Sequence, residues 1–258
     1  FNQRRALGDE ARKRRNWGKA RGYYRRAQQE GCDDARVQNA LGETFYGEGN
    51  MTQALRAFQQ AARLDSTMPV PFTNIGRIYL RFGRFSEAIA AMTRAVELQQ
   101  DDGGLRALLA EAYRGAGKVD EAIEEYQRAL QLAPHVAEYY YNLGFIFEQS
   151  QQMHQAESLY EAALARQPHL PQGLFSLATL RLDQRRYSEA EVLLERLVQV
   201  QPNHAKAYFN LANAQMHLGK ETGAIQSYRR FLSLHVEDGA LHRVAERNLE
   251  QLLKSAQD

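Results

Sequence analysis

The chain has 258 residues, 44% of them hydrophobic and 25% charged, with a formal net charge of +2; this excludes a disordered polymer and argues, on whole-chain balance, against a nucleic-acid or membrane-surface partner. The single cysteine, Cys32, excludes an internal disulfide and a thiolate metal cage within one chain. No run approaches the roughly 20 apolar residues that cross a bilayer.

From the first residue onward the sequence repeats itself every 34 residues without an insertion: 1–34, 35–68, 69–102, 103–136, 137–170, 171–204 and 205–238. In chain order a small residue recurs as Gly8, Gly42, Gly76, Ala110, Gly144, Ala178 and Ala212. Later in each period stands an alanine: Ala20, Ala54, Ala88, Ala122, Ala156, Ala190 and Ala224. Four residues further a bulky residue follows, as Tyr24, Phe58, Met92, Tyr126, Tyr160, Leu194 and Tyr228. Apolar residues around these landmarks follow the i, i+3, i+4, i+7 spacing of a helix with one buried face, so each period predicts two antiparallel helices. The small residues let the two backbones approach, and the bulky one fills the space beside them. Gly49, Gly83, Gly117 and Gly219 fall at the turn inside the pair, where a residue past a helix end often needs φ > 0. Pro134, Pro168 and Pro202 close three of the periods, because proline stops a helix.

The first period is basic: residues 1–34 hold ten Arg or Lys against five Asp or Glu, which leaves the remainder of the chain at a net −3. It carries Arg4 and Ala11 at places where most other periods have larger apolar residues, so it reads either as an atypical cap or as a repeat that has lost an upstream neighbour. Its run Arg12, Lys13, Arg14 and Arg15, with Lys19, Arg21, Arg25 and Arg26 around Trp17, Tyr23 and Tyr24, offers charge to phosphate or acidic protein, and a solvated end repeat is the plainer explanation. Beyond 238 the phase changes. Leu241, Val244, Ala245, Leu249 and Leu252 form an apolar stripe with His242, Arg243, Glu246, Arg247 and Glu250 outside it, predicting a closing helix over 239–258 that covers the last repeat.

The unit beginning at Ala137, AEYYYNLGFIFEQSQQMHQAESLYEAALARQPHL, resembles the tetratricopeptide repeat. Tyr140, Leu143, Gly144, Phe147, Ala156, Tyr160, Ala163 and Pro168 stand at that family's signature places, and the resemblance extends over 1–238. It implies an all-α fold, a right-handed α-solenoid superhelix of helix hairpins with a concave groove lined by the first helices. Within the family, places 2, 5, 6, 9, 12 and 13 of the first helix face that groove. Mapped here, they give a basic strip of Arg5, Arg12, Lys13, Arg36, Arg77 and Arg81, accompanied by Asp9 and Glu43, in the early repeats. In the later repeats they give Tyr141, Phe145, Phe175, Leu182, Phe209 and Met216, an apolar row that the core inside each repeat does not require. Asn74, Asn142 and Asn210 fall in alternate repeats, similar to the asparagine ladder of O-linked N-acetylglucosamine transferase; Ala6, Ala40, Leu108 and Ser176 interrupt the series. The carboxylate clamp of the family's chaperone-binding members needs a Lys, Asn, Asn, Lys, Arg set that no three consecutive repeats supply here.

No phosphate loop, HExxH or glycine-rich dinucleotide turn occurs. His135, His169 and His204 lie near repeat ends, no histidine pair has the i, i+4 spacing that grips zinc, and Cys32 reads as an inert residue in place of a closing proline. The expectation is therefore a scaffold without enzymatic activity, cofactor, metal or small-molecule substrate. Its partner is another protein or peptide, an apolar or amphipathic segment with an acidic flank, held in the concave groove. Three alternatives stand beside it: a bacterial envelope assembly factor resembling the pilotin lipoproteins of pilus and secretion systems, the substrate-selecting arm of a larger enzyme, and self-association through the first repeat. The compartment follows the alternative, cytoplasmic or, with a lipobox ahead of Phe1, the periplasmic face of an outer membrane.

Overall fold

A computed structural model describes residues 2–30, 34–234 and 239–255; Cys32 lies outside them. Helices follow one another in pairs: α1 (Asn2–Lys13) with α2 (Trp17–Gln29), α3 (Ala35–Gly47) with α4 (Met51–Leu64), α5 (Pro69–Arg81) with α6 (Phe85–Leu98), α7 (Gly103–Gly115) with α8 (Val119–Leu132), α9 (Ala137–Gln149) with α10 (Met153–Arg166), α11 (Pro171–Asp183) with α12 (Tyr187–Val200), and α13 (Ala205–His217) with α14 (Glu221–Ser233). A last helix, α15 (Gly239–Ser255), packs on α14. Two compact units result, Phe1–Ala133 and Pro134–Asp258. No strand occurs among the described residues.

The periodic residues are the core of each hairpin. All seven mid-repeat alanines have 0% exposure, and none of the seven bulky residues from Tyr24 to Tyr228 exceeds 2%. A Cβ added at Gly8, Gly42, Gly76 or Gly144 would stand 2.5, 2.5, 2.6 or 2.9 Å from the side chain of Tyr24, Phe58, Met92 or Tyr160, closer than real Cβ atoms come. Absence of a side chain at these places is what brings the paired helices together. Successive pairs then stack, α2 on α3, α4 on α5 and α6 on α7 in the first unit, and α10 on α11 and α12 on α13 in the second. Arginines tie neighbouring hairpins by donating to carbonyls of the preceding inter-repeat turn, Arg94 to Ser66 at 3.4 Å and Arg230 to Pro202 at 3.0 Å.

The turn inside each hairpin has one left-handed residue. Gly49, Gly83, Gly117 and Gly219 supply it at φ of +80, +67, +74 and +69°, and where the sequence lacks a glycine, Arg15, Gln151 and Arg185 adopt φ of 54, 60 and 59° all the same. The hairpin geometry therefore overrides the residue's own preference, at a cost of about 1 kcal/mol per non-glycine residue. Gln151→Gly is accordingly expected to stabilise its hairpin by about 1 kcal/mol in urea unfolding, and Gly117→Ala to destabilise by a similar amount. The opposite order would contradict this account of the turn.

Three places depart from the sequence reading. Arg181 occupies a first-helix place that is apolar in Phe45, Tyr79, Tyr113 and Phe147, yet it is only 4% exposed. It is held by ion pairs with Glu157 and Glu161 and lies 3.4 Å from Glu189. Gln215, at the same place in the last repeat, is buried and accepts a 2.8 Å bond from the Ser227 hydroxyl. His242, expected outside the apolar stripe of α15, is half-buried with its ring 5.8 Å from Phe231, because the helix rotates that residue toward α14.

Candidate functional site

In each unit first helices of successive pairs meet along one wall, α1 with α3 and α5 with α7 in the first unit and α11 with α13 in the second. On the wall of the first unit, built by α1, α3, α5 and α7, the expected basic strip is neutralised at Arg5 and Arg12 alone. Arg12 pairs with Glu43 and stands 3.8 Å from Asp9, and Arg5 is 3.7 Å from Asp34. The reason is stacking: carboxylates on neighbouring turns and helices meet these arginines once the hairpins are in register. Lys13, Arg36, Arg77 and Arg81 are exposed and make no ion pair among the described residues. Asn74 donates to Asn39 at 3.4 Å, and Asn39 donates to Glu43 at 2.9 Å. The amide hydrogens expected to meet a guest backbone thus belong to a chain of bonds running from α5 to α1. A cleft of about 400 Å³ opens beside it, lined by Glu43, Thr73, Asn74, Arg77, Asp102 and Leu105 among others. Trp17, isolated in the sequence at a turn, lies against Gly47 of the next hairpin.

The corresponding wall of the second unit, built by α9, α11 and α13, carries the apolar row. Tyr141, Phe145, Phe175, Leu182 and Met216 are each half-buried. Tyr141 stacks on Tyr160 with centroids 5.6 Å apart, and Phe175 lies 5.0 Å from the His204 ring. Phe209 is different. At 8% exposure it packs 5.4 Å from Phe231 and 6.1 Å from Tyr228, inside the last hairpin. It therefore helps close the core where an open anchor was expected, because α14 supplies two aromatic rings at its level. Asn142 and Asn210 are half-buried on α9 and α13, their side-chain amides make no hydrogen bond among the described residues, and α11 between them carries Ser176 at the equivalent place.

Between α11 and α13 lies a cleft of about 430 Å³ lined by Thr179, Leu182, Asp183, Tyr187, Asn210, Asn213 and His217. Leu182 and Asn210 were expected there from the sequence. Thr179, Asp183, Asn213 and His217 occupy groove-facing places too, but belong to neither the bulky apolar row nor the asparagine series that the sequence makes visible. Tyr187 belongs to the second helix and joins the cleft by stacking on His217, with centroids 4.3 Å apart and an interplanar angle of 11°; nothing local in the sequence marks it.

Buried tyrosine hydroxyls stiffen both walls from behind. Tyr24 donates to Asp9 at 2.7 Å, Tyr160 to Glu148, and Tyr228 to Asn213 while accepting from Asn248 at 2.9 Å. Burial, reinforced by the adjacent carboxylate, raises Tyr24 and Tyr160 above the usual tyrosine range, and burial raises Tyr228 against the opposing bond from Asn248. These hydroxyls stay protonated and serve as fixed donors. Among the described residues, no group of three or more His, Cys, Asp or Glu is placed to hold a metal ion, and no helix is long and apolar enough to cross a membrane.

Sequence profiles of the tetratricopeptide repeat match residues 5–69 and 175–240, 45–112 and 137–170, and a TPR repeat profile matches 110–151. Among curated proteins none matches. Several solved structures are similar in fold. YrrB, described as a TPR protein with an unusual peptide-binding site, is 19% identical with a TM-score of 0.58, covering 76% of this chain and 97% of its own. PilF of Pseudomonas aeruginosa is 16% identical with a TM-score of 0.72, covering 83% and 97%. The C-terminal part of a TPR repeat-containing protein from Cytophaga hutchinsonii is 16% identical with a TM-score of 0.71, covering 92% and 97%.

Proposed function

The chain belongs to the tetratricopeptide repeat family, and on that premise we propose that it is a protein-interaction scaffold whose second unit holds a peptide segment on the wall of α9, α11 and α13. The observation that carries this reading is the cleft between α11 and α13, where the apolar side chain of Leu182 stands beside the amide of Asn210, an amide without a hydrogen bond among the described residues. An apolar side chain of the guest would lie on Leu182, with Phe175 and Met216 flanking it, while Asn210 and Asn142 meet its main chain. Covering a large apolar side chain contributes about 1.5–3 kcal/mol, and each amide bond about 0.5–1.5 kcal/mol. Three anchors of this kind reach roughly micromolar affinity once ordering of the guest is subtracted. The groups offered are apolar surface, amides and hydroxyls, together with the Asp183 carboxylate and the His217 imidazole of the cleft, and each of them can serve as a contact to a polypeptide segment. That YrrB is described as peptide-binding agrees with this reading.

The test is selection of random dodecapeptides displayed on phage. The protein is expected to enrich sequences with regularly spaced apolar residues. The double variant Phe175→Ala, Leu182→Asp, which alters two half-buried side chains and leaves the α13–α14 core intact, should lose that enrichment by about tenfold or more. Equal enrichment by both proteins would remove the groove from consideration.

A further inference from the structure

The second-helix side of the first unit carries a charge pattern that the wall opposite it does not use. α2 contains Lys19, Arg21, Arg25 and Arg26, α4 contains Arg56 and Arg63, and neither helix has an acidic residue. By contrast α8 carries Asp120, Glu121, Glu124 and Glu125 against the single Arg128. Arg21 is paired with Glu48 at 2.6 Å, but Arg25 and Arg56 are exposed and make no ion pair among the described residues. These two arginines line one crevice of about 340 Å³ between α2 and α4, whose floor is Leu41, Phe45 and Ala57 and whose sides include Gln28 and Gln53.

Gln38 lines this crevice at the place where Phe72 stands in the next one. The neighbouring crevice, between α4 and α6, is also lined by two arginines, Arg63 and Arg94, but Glu87 lines it with them and Arg94 is paired with Glu97, whereas no carboxylate lines the first.

We propose that this crevice is a second binding site, on the face opposite the first-helix wall, for an acidic polypeptide segment carrying one apolar anchor residue. Carboxylates of the segment meet Arg25 and Arg56, its apolar side chain enters above Leu41, Phe45 and Ala57, and the amides of Gln28 and Gln53 are placed for its main chain. Charge complementarity selects the acidic guest, since charge of one sign without counter-ions on two adjacent helices attracts the other sign. The recessed apolar floor selects a polypeptide over a bilayer surface or a nucleic-acid backbone, which would meet the arginines and leave the floor untouched.

Fluorescence anisotropy with a labelled dodecapeptide, a central phenylalanine flanked by glutamates, tests this on the full chain. Binding is expected in low salt and is expected to weaken as salt is raised. Arg25→Glu with Arg56→Glu should weaken it about tenfold or more, Arg25→Lys with Arg56→Lys should retain most of it, and Leu182→Asp in the second unit should leave it unchanged. Both arginines are exposed, and circular dichroism checks that the helices of each variant persist. Three results would each overturn the proposal: equal binding by the charge-reversed variant, no binding of the peptide at millimolar concentration, or binding of phosphatidylserine vesicles or inorganic phosphate through the same arginines where the peptide does not bind.

Discussion

Arg181→Tyr is expected to lower the stability of the Pro134–Asp258 unit by about 2–3 kcal/mol, although tyrosine is what Tyr79 and Tyr113 supply at the same place elsewhere. Arg181 is nearly buried among Glu157, Glu161 and Glu189, of which Glu157 is the least exposed, with 15% of its side chain accessible. Removing the guanidinium strands that carboxylate in a poorly solvated place, which costs about 3–5 kcal/mol for an isolated buried pair. The lower figure applies because Arg186 also reaches Glu157 at 2.9 Å, and Gln184 donates to it at 2.8 Å. One consequence separates this from simple misfit. The added change Glu157→Gln should recover about half of the loss, a coupling that a double-mutant cycle in urea measures directly. A loss below about 0.5 kcal/mol would mean that the cluster contributes nothing beyond volume.

Removing residues 235–258 is expected to have the largest effect of all. α15 buries Ala245 and Leu252 and lays Leu241, Val244 and Leu249 against Phe231 and Tyr228, both of which are fully buried with the helix in place. It also provides the Asn248 bond to the Tyr228 hydroxyl. Without α15 the apolar face of α14 meets water, and in a stack each hairpin depends on its neighbour for cover. The thermal midpoint of the second unit should fall by roughly 10 °C, with concentration-dependent association through the bared face. Differential scanning calorimetry and light scattering read the two effects. The milder Leu252→Ala should cost about 2–3 kcal/mol without association. A truncated chain with an unchanged midpoint and an unchanged mass would show that α14 needs no cover.

The candidate sites were only partly legible in the sequence. Periodic placement put Phe175 and Phe209 at the same place of consecutive repeats, and the structure separates them: Phe209 is closed in by Phe231 and Tyr228, whereas Phe175 stays half-open beside His204. Arg5 and Arg12 appeared as free charge because Asp34 and Glu43 lie many residues away and meet them only after hairpins stack. Tyr187 and Gln38 gave no signal at all, since each acquires meaning from the residue facing it across the next helix.

What the sequence determined by itself is whatever depends on contacts within one hairpin. The alanine, the small residue and the bulky residue of each period lie within about half a repeat of one another, so their spacing already specifies two helices and the core between them. What the tertiary structure decided depends on contacts between hairpins: the burial of Arg181 in a cluster of carboxylates, the loss of the expected anchor at Phe209, and the open crevice above Leu41 and Phe45. The physical reason is that a solenoid reuses one local pattern, while the surface each hairpin presents is set by the side chains its particular neighbour leaves against it.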